Sequence, residues 1–418
     1  MRFISQKMSK RVIVIGGGPA GMMAAGTAAS LGCKVTLIEK NRILGKKLLI
    51  TGKGRCNVTN FCDNDNVIKN ITSSNPKFMY SAFSEFSCYD TYAFFEERGV
   101  PLKIERGNRV FPQSDRAADI RNALSEYMKG YGVKVVQGKV ISVHADPLGV
   151  KTADSVFEAD SIIIATGGIS YPLTGSTGDG YIFAGGLSHG IVRPKPALVP
   201  LLCSGNLCRS LAGLSLKNVG VTFNNERNET VLSDFGEMLF THTGISGPII
   251  LTASSKLDFD IEKYKAYIDL KPALSEKELD ARVLRDFNKY INKDFVNSLE
   301  DLLPRKIIPA IIEKSGINPR QKVNTITKDQ RRSLVDKIKA FDIPVSGKAG
   351  FDEAIITAGG VDTAEINPKT MESTKVKGIY FAGEVMDVSA NTGGYNLQIA
   401  FSSGYLAGKA CAGGKDGI

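Results

Sequence analysis

Three glycines, Gly16, Gly18 and Gly21, stand at the spacing G-x-G-x-x-G directly after the apolar run 12–15. Glycines so placed let the chain turn sharply at the end of a buried strand, bring its backbone close to a pyrophosphate, and pack the next helix tightly on that strand. The stretch 22–31 is rich in Ala, Met and Leu and predicts a helix whose N-terminal N–H groups and positive dipole end would face phosphates. Glu39, about twenty residues beyond the glycines at the end of a second apolar run, suits adenosine ribose hydroxyls, and an acid there argues against a 2′-phosphate. The chemistry implied is the binding of a dinucleotide, FAD or NAD.

Acid–base candidates are fewer. Of three histidines, His242 lies in the Gly-, Ser- and Thr-rich stretch 241–248 and is the first choice. Tyr171 and Tyr395, each flanked by glycine-rich loops, are placed to donate a hydrogen bond to a substrate carbonyl. Arg55 suits a substrate carboxylate or a cofactor phosphate. The seven cysteines show no C-x-x-C and no nearby His pair, so neither zinc nor an iron–sulfur cluster is expected. Cys56 and Cys62 have five residues between them rather than the four common in dithiol flavin reductases, whereas Cys203 and Cys208 have four but lie far from the nucleotide-binding stretch.

The elements that must position these groups follow from periodicity. At 418 residues, with 43% hydrophobic and 23% charged residues, the chain is an ordinary globular protein of two or three domains. The loop 45–60 combines glycines with Lys46, Lys47, Lys53, Arg55, Asn57, Thr59 and Asn60, types that suit phosphate and polar ligand edges. Helices are expected at 78–99 and 116–131, and short strands at 133–136, 138–144, 150–152 and 156–157 as a small β layer. A buried strand at 161–165 runs into Thr166-Gly167-Gly168, followed by a short helix at 181–185. Prolines at 194, 196 and 200 punctuate a boundary. Strands at 219–223, 230–232, 238–240, 249–251 and 266–270 come next, then helices at 277–291, 295–302 and 328–340. The chain closes with a strand at 378–382, a turn carrying Glu384 and Asp387, and a helix opened by Gly393-Gly394. The fold class is α/β.

Net charge is +10 with a pI near 9.1. The basic residues are spread along the chain and no nucleic-acid motif appears, so nucleic acid is set aside as a partner. No apolar run approaches the roughly 20 residues that span a bilayer, and 1–10 lacks a signal-peptide core, so no membrane partner and a cytoplasmic location are expected.

Four blocks, 45–60, 165–181, 236–248 and 357–361 through 383–408, resemble the bacterial aminoacetone-oxidase-like FAD flavoproteins, a family that also includes proposed bile-acid reductases of gut clostridia. The resemblance covers nearly the whole chain and is most specific in Gly-Arg-Cys-Asn-Val-Thr-Asn at 54–60 and Thr-His-Thr-Gly-Ile-Ser-Gly-Pro at 241–248. It implies a discontinuous Rossmann-like FAD-binding domain of the two-dinucleotide-binding type, 1–192 and 350–418. An inserted β-barrel-like domain, 193–272 and 341–349, and a helical subdomain, 273–340, would interrupt it. Non-covalent FAD is then implied, with Gly16, Gly18, Ala20 and Gly21 at the pyrophosphate and Glu39 at the ribose. Lys46, Thr51, Gly54, Arg55, Asn57 and Asn60 would line the phosphate and flavin side, and Thr166 and Gly167 the adenosine half. Glu384 takes the position at the ribityl chain, and Gly394, Asn396 and Leu397 approach the isoalloxazine. Pro19, Lys40, Gly52, Cys56, Val140, Ala165, Gly168, Gly360 and Gly383 complete the implied cofactor shell.

No second G-x-G-x-x-G follows another strand, so NAD(P)H is expected as a transient donor rather than a resident ligand. The expected function is that of an FAD-dependent oxidoreductase that reduces an activated C=C bond of a small molecule, a steroid or bile-acid-like substrate included. The alternatives are a flavin amine oxidase of the aminoacetone type and a non-catalytic FAD-binding protein linked to RNA modification. Oligomeric state is left open.

Overall fold

Five short strands, dominated by Val and Ile, make an all-parallel sheet in the order Ile379–Phe381, Ser161–Ile164, Arg11–Ile15, Lys34–Glu39 and Lys134–Gln137. The first three are buried almost throughout, which is why their sequences read as continuous apolar runs rather than alternating ones. The computed structural model describes residues 9–258 and 260–413, and the chain divides into two units, one comprising the residues up to Ala197 and from Phe351 onward, the other Leu198–Gly350.

In the first unit, strand β1 (Arg11–Ile15) leads into helix α1 (Pro19–Ser30), which returns to strand β2 (Lys34–Glu39). Helix α1 is buried on nearly every side, so it carries no amphipathic stripe. The C-terminal helix Tyr395–Cys411 packs on it through small residues, and a side chain at Gly404 would stand 2.4 Å from the Ala20 carbonyl oxygen. The cores of sheet and helices merge into one cluster.

Several expectations need correction here. The helix expected at 78–99 is two helices, Tyr80–Glu85 and Cys88–Glu96. Phe86 leaves helical conformation, and Ser87 with Asp90 forms a reciprocal capping box that starts the second helix afresh. The strand expected at 133–136 belongs to the edge of the parallel sheet, not to the small β layer, which consists of Val140–Ala145, Leu148–Thr152 and Val156–Glu158. Ile191–Ala197, whose prolines mark a boundary and which ends where the first unit gives way to the second, is itself a strand, paired antiparallel with Ile356–Val361. Its ladder shifts register between Val192 and Lys195, which accommodates Pro194.

In the second unit seven strands form one sheet, in the order Phe341–Ile343, Lys265–Asp269, Ser215–Asn224, Thr230–Phe240, Gly244–Ser246, Leu201–Cys203 and Val345–Lys348. The first and last strands of that order are separated in the chain by Pro344 alone, and no ladder joins them among the described residues. Helices Glu276–Lys289 and Lys328–Lys339 share a single core with the strands.

Residues 249–251, expected as a strand, lie in helix Pro248–Lys256. Gly247 at φ +99° and Pro248 at the first helical position start it, and a helix start overrides a short β-branched run. The helix expected at 295–302 is only a single 3₁₀ turn, Phe295–Asn297, whereas Ile308–Ser315, not foreseen, is helical with Ile308, Ile311 and Ile312 buried. No helix among the described residues is long and apolar enough to cross a membrane.

Candidate functional site

The turn after β1 is built by Gly16, held at φ +105° with its N–H donating to the Ile38 carbonyl at 2.9 Å. Helix α1 then begins with extended Gly18 at its cap and no capping side chain. A side chain on Gly21 would lie 1.9 Å from the Gly16 carbonyl oxygen, so only glycine lets helix and turn meet. A side chain on Gly18 would meet nothing within 4 Å. The first turn of α1 therefore presents N–H groups and a positive dipole end to open space, with Pro19 and Ala20 forming its wall.

Beside that turn, buried Glu39 accepts from the Gly17 N–H at 2.6 Å and from the Asn41 N–H and amide at 2.7 and 2.8 Å. Three bonds on roughly four acceptor positions leave its carboxylate able to take one more donor. Val140 is buried in the antiparallel sheet. Two residues before it, the Gly138 N–H donates to the Glu39 carbonyl at 2.9 Å.

The segment 40–47 is tied to the loop 169–179. Lys40 Nζ reaches Thr177 Oγ1 at 2.5 Å and Asp179 at 2.6 Å, and exposed Lys46 donates to the Leu173 carbonyl at 2.6 Å. Lys47 donates to Ser170 Oγ at 2.6 Å and to Glu384 Oε2 at 2.8 Å. The other oxygen of Glu384 accepts from the Thr357 N–H at 2.8 Å and from Ser170 Oγ at 2.9 Å. Glu384 thus gathers three segments that are distant in sequence. Sequence reasoning placed Glu384 and Lys46 in the cofactor shell, counted Lys47 only among the loop cations that suit phosphate, and left Ser170 and Thr357 out. Only the Lys-Lys doublet hinted at the true partner.

Ala165, Thr166, Gly167 and Gly168 follow the buried strand as expected. A side chain on Gly16 would stand 2.5 Å from the Ala165 carbonyl oxygen, and one on Gly168 would stand 2.4 Å from Thr357 Oγ1. Thr166 Oγ1 and Tyr181 OH are buried without a hydrogen-bond partner among the described residues. Gly383 lies against α1, where a side chain would be 2.7 Å from the Ala20 Cβ, and Gly360 lies against the Val385 carbonyl.

A second group of expected residues meets at the start of the C-terminal helix. With its side-chain amide turned so that oxygen faces donor and nitrogen faces acceptors, Asn57 accepts from the Gly394 N–H at 2.9 Å and donates to the Thr59 and Val110 carbonyls at 3.1 and 3.2 Å. Asn60 donates to the Gly107 and Gly393 carbonyls at 2.9 and 3.1 Å. Asn396 closes the preceding loop, accepting from the Ala390 N–H at 2.9 Å and donating to its carbonyl at 2.8 Å, while Leu397 packs against the core. Burial pushes the Tyr395 phenol up to about 12.

The loop between these groups holds Thr51, whose hydroxyl donates to the Leu48 carbonyl at 2.7 Å, with Gly52 and Gly54 at positive φ. Burial pushes the Cys56 thiol up to about 12. Arg55 donates through Nε to Asp115 at 2.8 Å, pairs with Glu105, and lies 4.2 Å over the Phe111 ring. Its hydrogen bond holds Glu105 below the usual carboxylate range. Asp115 is lowered first by Lys103 and then by Arg55. Tyr171 sits at φ +50°, and burial raises its phenol. His242 is exposed in the turn after strand Thr230–Phe240, in the second unit.

The first unit's residues fit a dinucleotide. An uncapped helix N-terminus opens on free space, a carboxylate with acceptor capacity stands beside it, and two buried hydroxyls have no partner among the described residues. Residues 10–410 match the family described as HI0933-like protein Rossmann domain. The chain belongs to this family.

This chain is an FAD-dependent oxidoreductase of Rossmann type. It is 31% identical over 96% of its length, and 99% of the relative's, to a 3-dehydro-bile acid delta(4,6)-reductase of Clostridium scindens. It is 32% identical, over 96% of its length and 97% of the relative's, to a ribosomal RNA dihydrouridine synthase of Haemophilus influenzae. Among solved structures it is similar to 3-ketosteroid-delta4-(5alpha)-dehydrogenase of Rhodococcus jostii, with a TM-score of 0.51, 14% identity and 98% of each chain covered. That likeness shows a shared flavoenzyme fold.

Proposed function

We propose that this HI0933-like protein binds FAD non-covalently and reduces a C=C bond conjugated to a carbonyl, with NAD(P)H as the transient electron donor. The observation that supports this reading is the pair of relatives, which carry different names but one chemistry. Reduction at the Δ4,6 positions of a 3-dehydro bile acid and formation of dihydrouridine both add hydride and proton across an alkene conjugated to a carbonyl.

When bound, FAD supplies the hydride. The chain's own groups do the rest. The first turn of α1, from Gly18 to Gly21, would hold the pyrophosphate, and Glu39 the ribose. Glu384, fixed by Lys47, Ser170 and Thr357, would accept from the ribityl hydroxyls. Asn57, Asn60, Gly394, Asn396 and Leu397 would frame the isoalloxazine. Burial keeps the Tyr395 phenol protonated at neutral pH, so it can hydrogen-bond a substrate carbonyl and polarise the alkene.

Sequence reasoning set nucleic acid aside. A second reading restores it, with a uridine base of RNA as the alkene. The names of two relatives support it, at 32% and 30% identity, together with the net charge of +10.

The test is an anaerobic stopped-flow experiment on FAD-loaded protein, with NADH, NADPH and small amines offered in turn. Bleaching of the flavin by a nicotinamide, followed by reoxidation with a 3-oxo-Δ4 steroid or with unmodified ribosomal RNA, supports the reductase and identifies the substrate class. Bleaching by an amine alone would overturn it in favour of an oxidase.

A further inference from the structure

The sheet of the second unit turns one face to its core and the other to solvent. Along Ser215–Asn224, Val219, Val221 and Phe223 are buried in the core, so Gly220, Thr222 and Asn224, which alternate with them, lie on the outer face. Residues opposite one another in a ladder share a face, so the register carries that surface onto the neighbouring strands. Thr222 stands opposite Tyr267 on one side and Ser233 on the other, and Gly220 stands opposite Asp269 and Phe235. Tyr267 is in turn opposite Asp342, in the terminal strand Phe341–Ile343.

Two aromatic rings therefore share this outer face, two strand spacings or about 10 Å apart across the sheet. Phe235 is 54% exposed, and Gly220 opposite it has no side chain to cover it. Tyr267 is partly exposed and, like Phe235, belongs to neither hydrophobic core. Between the rings lie the Thr222 and Ser233 hydroxyls, 3.4 Å from one another. Toward the terminal strand the face deepens into an open groove of about 490 Å³, lined in part by Lys265, Tyr267, Lys337 and Asp342.

The charges along this face are not balanced. Asp342 is held by Lys314 at 2.6 Å and Asp269 by Lys339 at 2.5 Å. Lys265 donates to a neutral group, Asn228 Oδ1, at 3.1 Å, and no carboxylate lies within ion-pair distance of Lys337 among the described residues. The acids are thus neutralised, and two ammonium groups remain beside an aromatic ring. Exposed rings on a sheet offer stacking surfaces to unpaired bases, and lysines beside them suit the phosphates that join those bases. A duplex keeps its bases stacked inside and cannot use the rings.

We propose that this outer face binds single-stranded RNA, with bases stacked on Tyr267 and Phe235 and phosphates on Lys265 and Lys337, an inference that rests on the second reading above, RNA as the substrate. The face anchors the strand and takes no part in alkene reduction.

The test is fluorescence anisotropy of the FAD-loaded full-length protein with labelled single-stranded oligouridine, repeated with an oligouridine–oligoadenosine duplex and over a range of salt. The single strand should bind at least about tenfold more tightly than the duplex. Phe235→Ala and Tyr267→Ala should each weaken binding about tenfold, while Tyr267→Phe keeps the ring and should bind as wild type does. Both alanine substitutions leave the net charge unchanged, so general attraction to a basic protein cannot produce their loss. Lys337→Gln should lower the slope of log affinity against log salt by about 0.7. Phe235 lies at the surface, so its variant tests stacking even where Tyr267→Ala folds poorly. Reoxidation of the reduced flavin by unmodified ribosomal RNA is measured beside these. Where that RNA reoxidises the flavin, equal oligouridine binding by wild type and both alanine variants overturns the platform alone. Where RNA neither binds nor reoxidises, the RNA reading and the platform fall together.

Discussion

Lys47 Nζ lies 2.8 Å from Glu384 Oε2, across 337 residues of sequence, and Ser170 Oγ bridges the two. Both side chains are about one-fifth exposed, so neither charge is fully hydrated. Removing the lysine leaves a partly desolvated carboxylate with only the Ser170 and Thr357 donors. Lys47→Met should therefore cost about 1–3 kcal/mol in the deflavinated protein, read from urea unfolding. A double-mutant cycle with Glu384→Gln should give a coupling of about 1 kcal/mol. Additive single effects would mean that the two groups act independently.

Gly18 and Gly21 predict opposite outcomes for the same substitution. A methyl on Gly18 meets no protein atom within 4 Å, so Gly18→Ala should leave the unfolding midpoint of the deflavinated protein unchanged. The methyl would fill the space read as the pyrophosphate's, and FAD affinity should fall at least about tenfold. Gly21→Ala places its methyl 1.9 Å from the Gly16 carbonyl oxygen and should destabilise the protein with or without FAD. Equal FAD binding by Gly18→Ala and wild type would remove the pyrophosphate from this turn.

These contrasts show what a sequence carries. Strand β1, its glycines and Glu39 are legible because the whole unit spans about thirty consecutive residues and each type has a local reason. The return of the chain to the sheet at Ile379–Phe381 is legible from its apolar run and the glycine that ends it. Lys47 could not be distinguished from Lys46, because its partners come from loops more than a hundred residues away. Arg55 was read as free for a ligand, whereas Glu105 and Asp115, fifty and sixty residues on, take its guanidinium. The helix at Pro248 was missed because Ile-Ile-Leu satisfies either period, and only the Gly-Pro start decides between them.

Gln398 is fully buried one turn into the C-terminal helix and joins three groups. It accepts from Thr59 Oγ1 at 2.6 Å and donates to the Phe86 carbonyl at 3.1 Å and to Ser402 Oγ at 2.9 Å. Gln398→Met keeps the shape and strands the buried Thr59 hydroxyl, while Ser402 Oγ still donates to the Phe86 carbonyl at 2.6 Å, so it should cost about 1–3 kcal/mol, measured by chemical unfolding. Ser402→Ala leaves Gln398 still bonded to Phe86 and should cost about 1 kcal/mol. A near-neutral Gln398→Met would show that water satisfies the stranded groups.

His189 gives the protein a pH dependence whose sign follows from its surroundings. The ring is buried, with Nε2 2.8 Å from Ser373 Oγ and its edge against Phe381 at 5.0 Å between centroids, while Nδ1 has no partner among the described residues. Burial lowers its pKa, outweighing the opposing pull of Glu365. The unfolded chain then takes up the proton first as pH falls below about 6.5. The neutral ring's contribution is fully present above that value and is lost progressively as pH falls toward the lower folded value, below which this group adds no further loss. Each pH unit within that window weakens folding by at most about 1.4 kcal/mol. His189→Phe keeps the aromatic contact and removes the titration, so its thermal midpoint should fall less than wild type's between about pH 7 and pH 5. Parallel curves for the two proteins would show that His189 takes up its proton at the same pH in the folded and unfolded states.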